Sequence, residues 1–158
     1  MSDNILSAIV EKPKGVPKKD FYESRKSDFQ TLINSDFFFK EKKVNFLYFE
    51  DIDRCYEKFI LGGEKEKRTI DLQRIERFHW IGEILKHLRF CSKCSDCSDI
   101  YVYLNTNDNR YYVLDESVRY LLVLVENEED FLLLTAFRLN RDNIEKHISR
   151  VVKYGNKR

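Results

Sequence analysis

One segment, residues 69–89, constrains the fold more than any other part of this chain. Its apolar side chains recur at steps of three and four residues, at Leu72, Ile75, Phe78, Ile81, Leu85 and Leu88. This spacing is the period of an amphipathic helix, so it predicts a helix whose apolar side packs against the rest of the protein. Thr69 can cap the start of this helix, and Asp71 in its first turn suits the positive end of the helix dipole.

The same helix carries a cationic side. Arg74 and Arg77 are three residues apart, so they project from neighbouring points of the helix, and His79 stands beside them. Two interpretations are open. The arginines are either ordinary solvated charges or a phosphate-binding pair, because a guanidinium stays charged and holds a phosphate by two parallel hydrogen bonds.

Length and composition favour one globular domain. The chain has 158 residues, of which 42% are hydrophobic and 35% charged, and this length can bury a sizeable core. No apolar run approaches the roughly 20 residues that span a bilayer, so we expect no membrane partner. The N-terminus has no basic residues ahead of its short apolar run, so a secretory signal is not expected and the predicted location is cytoplasmic.

The pattern of elements predicts an α+β fold. Residues 1–20 contain both prolines and little that can be buried, which indicates a flexible N-terminal arm followed by a single domain over residues 21–158. We expect N-terminal helices over residues 20–34 and 52–60, with an aromatic run at 37–39 and a strand at 44–49 between them.

The second half of the chain predicts strands and a closing helix. Short polar turns separate four apolar runs, so we expect a four-stranded antiparallel β-meander over residues 100–104, 110–114, 119–125 and 131–137. A C-terminal helix is expected to begin near Asn140 and end at Gly155.

Residues 74–81, Arg-Ile-Glu-Arg-Phe-His-Trp-Ile, resemble the Arg-x-x-Arg-Ile-x-Trp-Ile helix of a prophage- and toxin-associated group in the barnase/EndoU/colicin/RelE-like (BECR) ribonuclease superfamily. The apolar runs at 120–125 and 131–137 are similar to the paired strands of that group, the second ending in its Thr-Ala-aromatic signature. The resemblance covers roughly residues 68–154. One departure is His79, which stands where many members of the group carry other residues.

The resemblance implies a metal-independent endoribonuclease-like toxin or prophage protein that acts on cellular RNA and is restrained by a cognate antitoxin or inhibitor protein. Such cleavage uses the 2′-hydroxyl as nucleophile, so it needs proton transfer and charge stabilisation at the phosphate. Arg74 and Arg77 suit the stabilising role. His79 suits proton transfer, because an imidazole both accepts and donates a proton near neutral pH, or it is a half-buried packing residue. The resemblance also implies that the Thr135 hydroxyl contacts phosphate or sugar, unless Thr135 is simply a good strand former.

Further candidates for RNA binding come from charge and aromatic content. Residues 65–93 hold eight Lys or Arg against four acids, and residues 138–158 hold seven against two. Basic segments that meet in space bind a polyanion through their local field, although solvated helix faces give the same pattern. The RNA-binding candidates are Arg119, Arg138, His147 and Tyr111, the last as a stacking surface or as an ordinary core aromatic.

A cysteine-rich segment is a candidate metal-binding site. Cys91, Cys94 and Cys97 have C-x₂-C-x₂-C spacing, and Cys55 or His87 could complete four ligands for a structural zinc. The alternative is a loop of free thiols, and no other cofactor is expected. The chain has no Gly-rich phosphate loop and no His-Glu-x-x-His motif, which removes the usual support for a nucleotide hydrolase or zinc peptidase. The rival to a ribonuclease is a non-catalytic RNA- or protein-binding module with the same fold.

Overall fold

The computed structural model describes residues 6–62, 69–90 and 100–140, together with Lys146 and residues 156–157. In these ranges the helices are α1 (Lys18–Ser24), α2 (Lys26–Ile33), α3 (Ile52–Ile60), α4 (Leu72–Arg77) and α5 (His79–Phe90). The strands are β1 (Phe37–Phe39), β2 (Lys42–Phe46), β3 (Leu61–Gly62), β4 (Thr69–Ile70), β5 (Ile100–Asn105), β6 (Arg110–Asp115), β7 (Tyr120–Glu126), β8 (Asp130–Arg138) and β9 (Asn156–Lys157). The expected α+β class is confirmed.

The sheet is larger and more mixed than the expected four-stranded meander. Strands β5 to β8 pair antiparallel in chain order, but they form only the middle of a sheet with the order β1-β2-β8-β7-β6-β5-β9. β2 runs parallel to β8, with Val44 opposite Phe131 and Phe46 opposite Leu133. This pairing joins segments more than eighty residues apart in the chain, so no local pattern in the sequence could reveal it.

The helix predicted over residues 69–89 is divided. Thr69 lies in β4, opposite Gly62, and Asp71 is the cap of α4, its side chain accepting the Arg74 backbone N–H at 3.4 Å. The helical run is interrupted at Phe78, which is buried and stands edge-on to Phe29 with 5.3 Å between ring centroids. The Thr69 cap was therefore wrong, because pairing with β3 holds this residue in an extended conformation.

The helices cover one face of the sheet. The core on this side, called the helix-side core, contains Phe29, Phe46, Phe59, Phe78, Ile81, Leu85, Tyr120, Leu122, Leu124 and Ala136 among its buried residues. Alternate residues of the same strands form an outer-face cluster of Tyr103, Tyr112, Leu114, Leu121, Val123 and Leu139. Because side chains alternate across a strand, the two clusters lie on opposite faces of the sheet.

The N-terminal segment lies along α4 and α5. Described residues 6–17 contain no helix or strand. The Ser7 backbone N–H and hydroxyl each donate to the Glu83 carboxylate at 2.7 Å, and the Trp80 indole N–H donates to the Ser7 carbonyl at 2.8 Å. The Val10 N–H donates to the Glu76 carbonyl at 3.0 Å. These bonds join the arm to residues at least 66 positions away in the chain, whereas the composition of residues 1–20 predicted only a flexible segment.

Two further expectations concern the chain as a whole. None of the helices in the described ranges has the length and hydropathy that crossing a bilayer requires. The closing helix predicted from Asn140 to Gly155 lies outside the described residues, apart from Lys146, which is helical and exposed.

Candidate functional site

Arg74 projects from α4 toward the end of β8. Its Nη1 donates to the Leu61 carbonyl at 3.3 Å, and its Nε lies 3.4 Å from a carboxylate oxygen of Asp71. Its guanidinium carbon lies 5.2 Å from the centroid of the Phe137 ring. The side chain is 18% exposed, so it is held by packing as well as by polar contacts.

Arg77 is held in a similar way, one turn later. Its Nη1 donates to the Gln73 carbonyl at 3.2 Å and lies 3.5 Å from the Glu76 carboxylate, while its guanidinium carbon stands 5.6 Å from the Trp80 ring centroid. The side chain is 13% exposed, and its buried Nε has no hydrogen-bond partner within the described ranges. Both guanidinium groups are therefore largely covered, Arg74 beside the Phe137 ring and Arg77 beside the Trp80 ring.

The two arginines act on one buried group, Tyr120 at the start of β7. Burial raises the pKa of the Tyr120 hydroxyl well above its usual value, and the positive charges of Arg74 and Arg77 both oppose that rise. Tyr120 is 1% exposed and stands edge-on to Trp80, with 5.4 Å between ring centroids. Its hydroxyl therefore stays protonated at neutral pH, where it can donate a hydrogen bond to an anion.

Strand pairing brings two further polar residues beside Tyr120. Tyr120 lies directly opposite Arg138 of β8 and opposite Asp115 of β6. Opposed residues of antiparallel strands project from the same face, so both side chains lie on the helix side of the sheet. We call Arg74, Arg77, Arg138, Tyr120 and Asp115 the arginine cluster.

Asp115 is a residue that the sequence reasoning missed. It is 2% exposed, and its Oδ1 accepts the Ser117 hydroxyl at 2.6 Å and the Ser117 N–H at 3.1 Å. A buried carboxylate is costly unless it is hydrogen-bonded, and the two bonds from Ser117 reduce that cost at Asp115. In the sequence Asp115 directly follows the apolar run 110–114, a position where an acid is also typical of a turn.

His79 belongs to a different part of the surface. Its Nε2 lies 2.9 Å from the Ala8 carbonyl, and because a carbonyl only accepts, this nitrogen carries a hydrogen. The other ring nitrogen, Nδ1, is buried and has no partner within the described residues. The N-terminal arm therefore holds His79 Nε2 in a hydrogen bond with the Ala8 carbonyl.

Thr135 also lies away from the cluster. It is opposite Val123, which belongs to the outer-face cluster, whereas the adjacent Ala136 belongs to the helix-side core. The register of β7 and β8 shifts between Val123 and Leu124, and such a bulge changes which face each later residue occupies. The Thr135 hydroxyl accordingly projects from the face opposite to α4.

The remaining RNA-binding candidates are dispersed. Arg119 lies in the turn before β7 with a φ of 58°, and its carbonyl accepts the Leu139 N–H at 2.7 Å. Tyr111 is partly buried and packs edge-on against Phe39 and Phe131 of the helix-side core, at centroid distances of 5.7 and 5.5 Å. His147 lies outside the described residues.

Two of the five candidate zinc ligands, Cys55 and His87, lie within the described residues. Cys91, Cys94 and Cys97 lie outside the described ranges. Cys55 is fully buried in the helix-side core, and burial is the main cause that raises the pKa of its thiol to about 12, which disfavours it as a zinc ligand because the thiolate is the ligand form. His87 is half-buried on α5. The described residues contain no group of three or more metal-ligating side chains.

Compared with known proteins, the chain matches no family model, no curated protein and no solved structure.

Proposed function

We propose that this protein is a metal-independent ribonuclease of the BECR type that acts on cellular RNA in the cytoplasm, with the arginine cluster as its phosphate-binding site. One observation carries the proposal: Arg74 lies 5.2 Å from the ring of Phe137, next to Arg138 in β8, and Arg77 lies 5.6 Å from the Trp80 ring that packs edge-on against Tyr120. Arg138 stands opposite Tyr120 on the same face, and the charges of Arg74 and Arg77 both oppose the rise in the pKa of its hydroxyl. Three guanidinium groups at one end of a sheet form a site suited to a phosphate.

The cluster contains groups for each step of 2′-hydroxyl attack. The arginines stabilise the charge that develops on the phosphorane. Tyr120 and Asp115 are only 1% and 2% exposed, so in this proposal RNA reaches them only when the helical layer over this end of the sheet opens. The protonated Tyr120 hydroxyl then donates to a phosphate oxygen or to the departing 5′-oxygen, and the Asp115 carboxylate accepts the proton of the 2′-hydroxyl. His79 would take the acceptor role only after its Nε2 leaves the Ala8 carbonyl, so we assign that role to Asp115 first.

A ribonuclease acting on cellular RNA damages its own host unless it is restrained. We therefore include in the proposal a cognate antitoxin or inhibitor protein, as the resemblance of residues 74–81 implies. Expression of the chain alone is then expected to arrest growth, and the Arg74/Arg77 double alanine variant is expected to be tolerated.

The second candidate is a non-catalytic RNA- or protein-binding module. A specific observation favours it: His79 contacts the N-terminal arm and Thr135 lies on the outer face, so two of the four residues predicted for catalysis are separate from the arginines. Such a protein would retain the arginine cluster for binding without turnover.

Incubation of the purified protein with total RNA, followed by mapping of new ends, separates the two candidates. The ribonuclease is expected to leave 2′,3′-cyclic phosphate ends that the double Arg74/Arg77 alanine variant, purified in parallel, does not produce. Cleavage that is equal in both preparations is contamination. RNA binding that requires the arginines, with no new ends, would replace the ribonuclease with the binding module.

A further inference from the structure

Residues 6–12 of the N-terminal arm contact two side chains that border the arginine cluster. We call residues 6–12 the arm segment. The Ser7 carbonyl accepts the indole N–H of Trp80 at 2.8 Å. The Lys12 backbone N–H donates to Oε2 of Glu76 at 3.2 Å. Both contacts join residues more than sixty positions apart in the chain, so the arm segment docks through tertiary contacts alone.

Trp80 and Glu76 in turn hold Arg77. The guanidinium carbon of Arg77 lies 5.6 Å from the Trp80 ring centroid, and its Nη1 lies 3.5 Å from Oε1 of Glu76. The side chains of Arg77 and Glu76 are each only 13% exposed. Trp80 also stands edge-on to Tyr120, with 5.4 Å between ring centroids. Two routes of contact therefore lead from the arm segment to Arg77, one through an indole and one through a carboxylate.

The contacts that hold the arm segment can break without unfolding the core. Described residues 6–17 contain no helix or strand, and Leu6 is the only buried residue of the arm segment. The two bonds between Ser7 and Glu83 lie at exposed positions, where water competes for the same groups. The cost of ordering the backbone opposes docking. A segment with few buried apolar contacts opens at low free energy, so a released state of the arm segment is accessible.

A tight turn between the arm segment and α1 forms a hinge. The Val16 N–H donates to the Pro13 carbonyl at 3.2 Å, and Gly15 has a φ of 82°. A positive φ at the third position of a four-residue turn is typical of a type II turn and favours glycine. Pro17 follows at the N-cap position of α1. Because this turn is closed by its own hydrogen bond, the arm segment can leave α4 and α5 while α1 stays in place.

We propose that the arm segment is an autoinhibitory strap. In its docked state it holds Trp80 and Glu76 against Arg77 and keeps that guanidinium covered. Its release lets the Trp80 ring turn away from Tyr120 and lets Arg77 turn outward to a phosphate of RNA. This release is the first step in opening the helical layer over the arginine cluster. The identity of the ligand as RNA rests on the proposed function, whereas the release itself does not.

A charge change at Ser7 in the full chain tests the strap. Ser7→Asp places a second carboxylate against Glu83, which accepts the Ser7 hydroxyl at 2.7 Å. Because like charges repel, this variant is expected to release the arm segment. The double variant Ser7→Asp/Glu83→Lys restores an attraction at the same contact and is expected to dock it again. The matched control is Ser27→Asp, at an exposed serine of α2, which is expected to behave like the parent.

Two measurements on the same preparations follow the strap and its effect. Trp80 is the single tryptophan of the chain and is only 6% exposed, so release is expected to shift its emission to longer wavelength and to increase its quenching by acrylamide. Affinity is measured with a single-stranded 2′-O-methyl RNA oligonucleotide, which 2′-hydroxyl attack cannot cleave. A minor open state is typically populated at about 0.1–10%, and apparent affinity scales with that fraction, so Ser7→Asp is expected to bind about tenfold or more tightly than the parent.

The strap is overturned if Ser7→Asp exposes Trp80 yet binds the oligonucleotide no more tightly than the parent, which includes the case in which neither binds. It is overturned equally if the emission and quenching of Trp80 in Ser7→Asp match the parent, or if Glu83→Lys in the double variant fails to restore the parent values. Tighter binding by Ser7→Asp, together with no cleavage of ordinary RNA by any variant, would support the strap and refute the ribonuclease. Cleavage by the parent that Ser7→Asp does not increase, with binding also unchanged, would do the reverse.

Discussion

Replacement of Arg77 by alanine tests the arginine cluster most directly, because Arg77 has a packing role as well as a proposed catalytic one. The change removes the hydrogen bond to the Gln73 carbonyl and the contact with the Trp80 ring. A hydrogen bond contributes about 1 kcal/mol and a cation–π contact at a partly exposed site about 0.5–1 kcal/mol. We therefore expect the free energy of unfolding to fall by about 1–2 kcal/mol, which lowers Tm by about 2–8 °C in a domain of this size.

The effect on RNA cleavage is expected to exceed the effect on folding. Loss of one contact made in the transition state raises the barrier by about 1.4 kcal/mol or more, which lowers kcat/KM at least tenfold. A protein that loses 1–2 kcal/mol of an ordinary stability of about 5–15 kcal/mol remains folded at 25 °C. Loss of cleavage therefore cannot be explained by unfolding at that temperature.

The assay is the initial rate of cleavage of an end-labelled RNA at 25 °C, with Tm measured by circular dichroism on the same preparations. Arg110→Ala is the matched control, since Arg110 is an exposed arginine at the start of β6 and should change neither quantity. Cleavage by Arg77→Ala within twofold of the parent would refute the assignment. If Arg74 and Arg77 act as one unit, the double variant should lose less than the product of the two single losses.

Three further outcomes are expected. Asp115→Asn should lower the rate of RNA cleavage at least tenfold with RNA affinity retained, whereas His79→Gln should leave the rate nearly unchanged. Both variants are compared with the parent by kcat and Kd on one RNA. A loss of rate in His79→Gln and none in Asp115→Asn would assign proton transfer to His79. Burial raises the pKa of the Cys55 thiol from 9.0 to about 12, so Cys55 should resist iodoacetamide at pH 8 until the protein unfolds. The stability that comes from keeping this buried thiol protonated should be complete below pH 9 and lost between pH 9 and 12. Alkylation of Cys55 in the native protein, detected by peptide mass mapping, would contradict the burial. If the cysteines of residues 91–97 hold a structural metal, tag-free protein should contain about one zinc per chain and lose stability on chelation; metal-free protein with an unchanged Tm would exclude this.

The local elements follow from the order of residues within each segment. The three- and four-residue spacing of apolar side chains predicted helix over most of residues 69–89, and polar turns between apolar runs predicted β5 to β8. These features depend on residues close together in the chain, where backbone geometry and the period of side-chain burial act. For the same reason the sequence could place Arg74 and Arg77 on neighbouring points of one helix, three residues apart.

The polar groups that lie together are set by long-range packing and strand pairing. Asp115 and Arg138 come together on either side of Tyr120 because β6, β7 and β8 pair in one particular register, and the bulge in β7–β8 places Thr135 on the other face. Arg25 comes to Phe78, and His79 to Ala8, through packing between segments more than fifty residues apart. A one-residue change of register moves a side chain to the opposite face of a sheet. Residue spacing along the chain does not specify that register. The arginine cluster and the docking of the arm segment therefore depend on long-range pairing, which the order of residues in each segment alone does not determine.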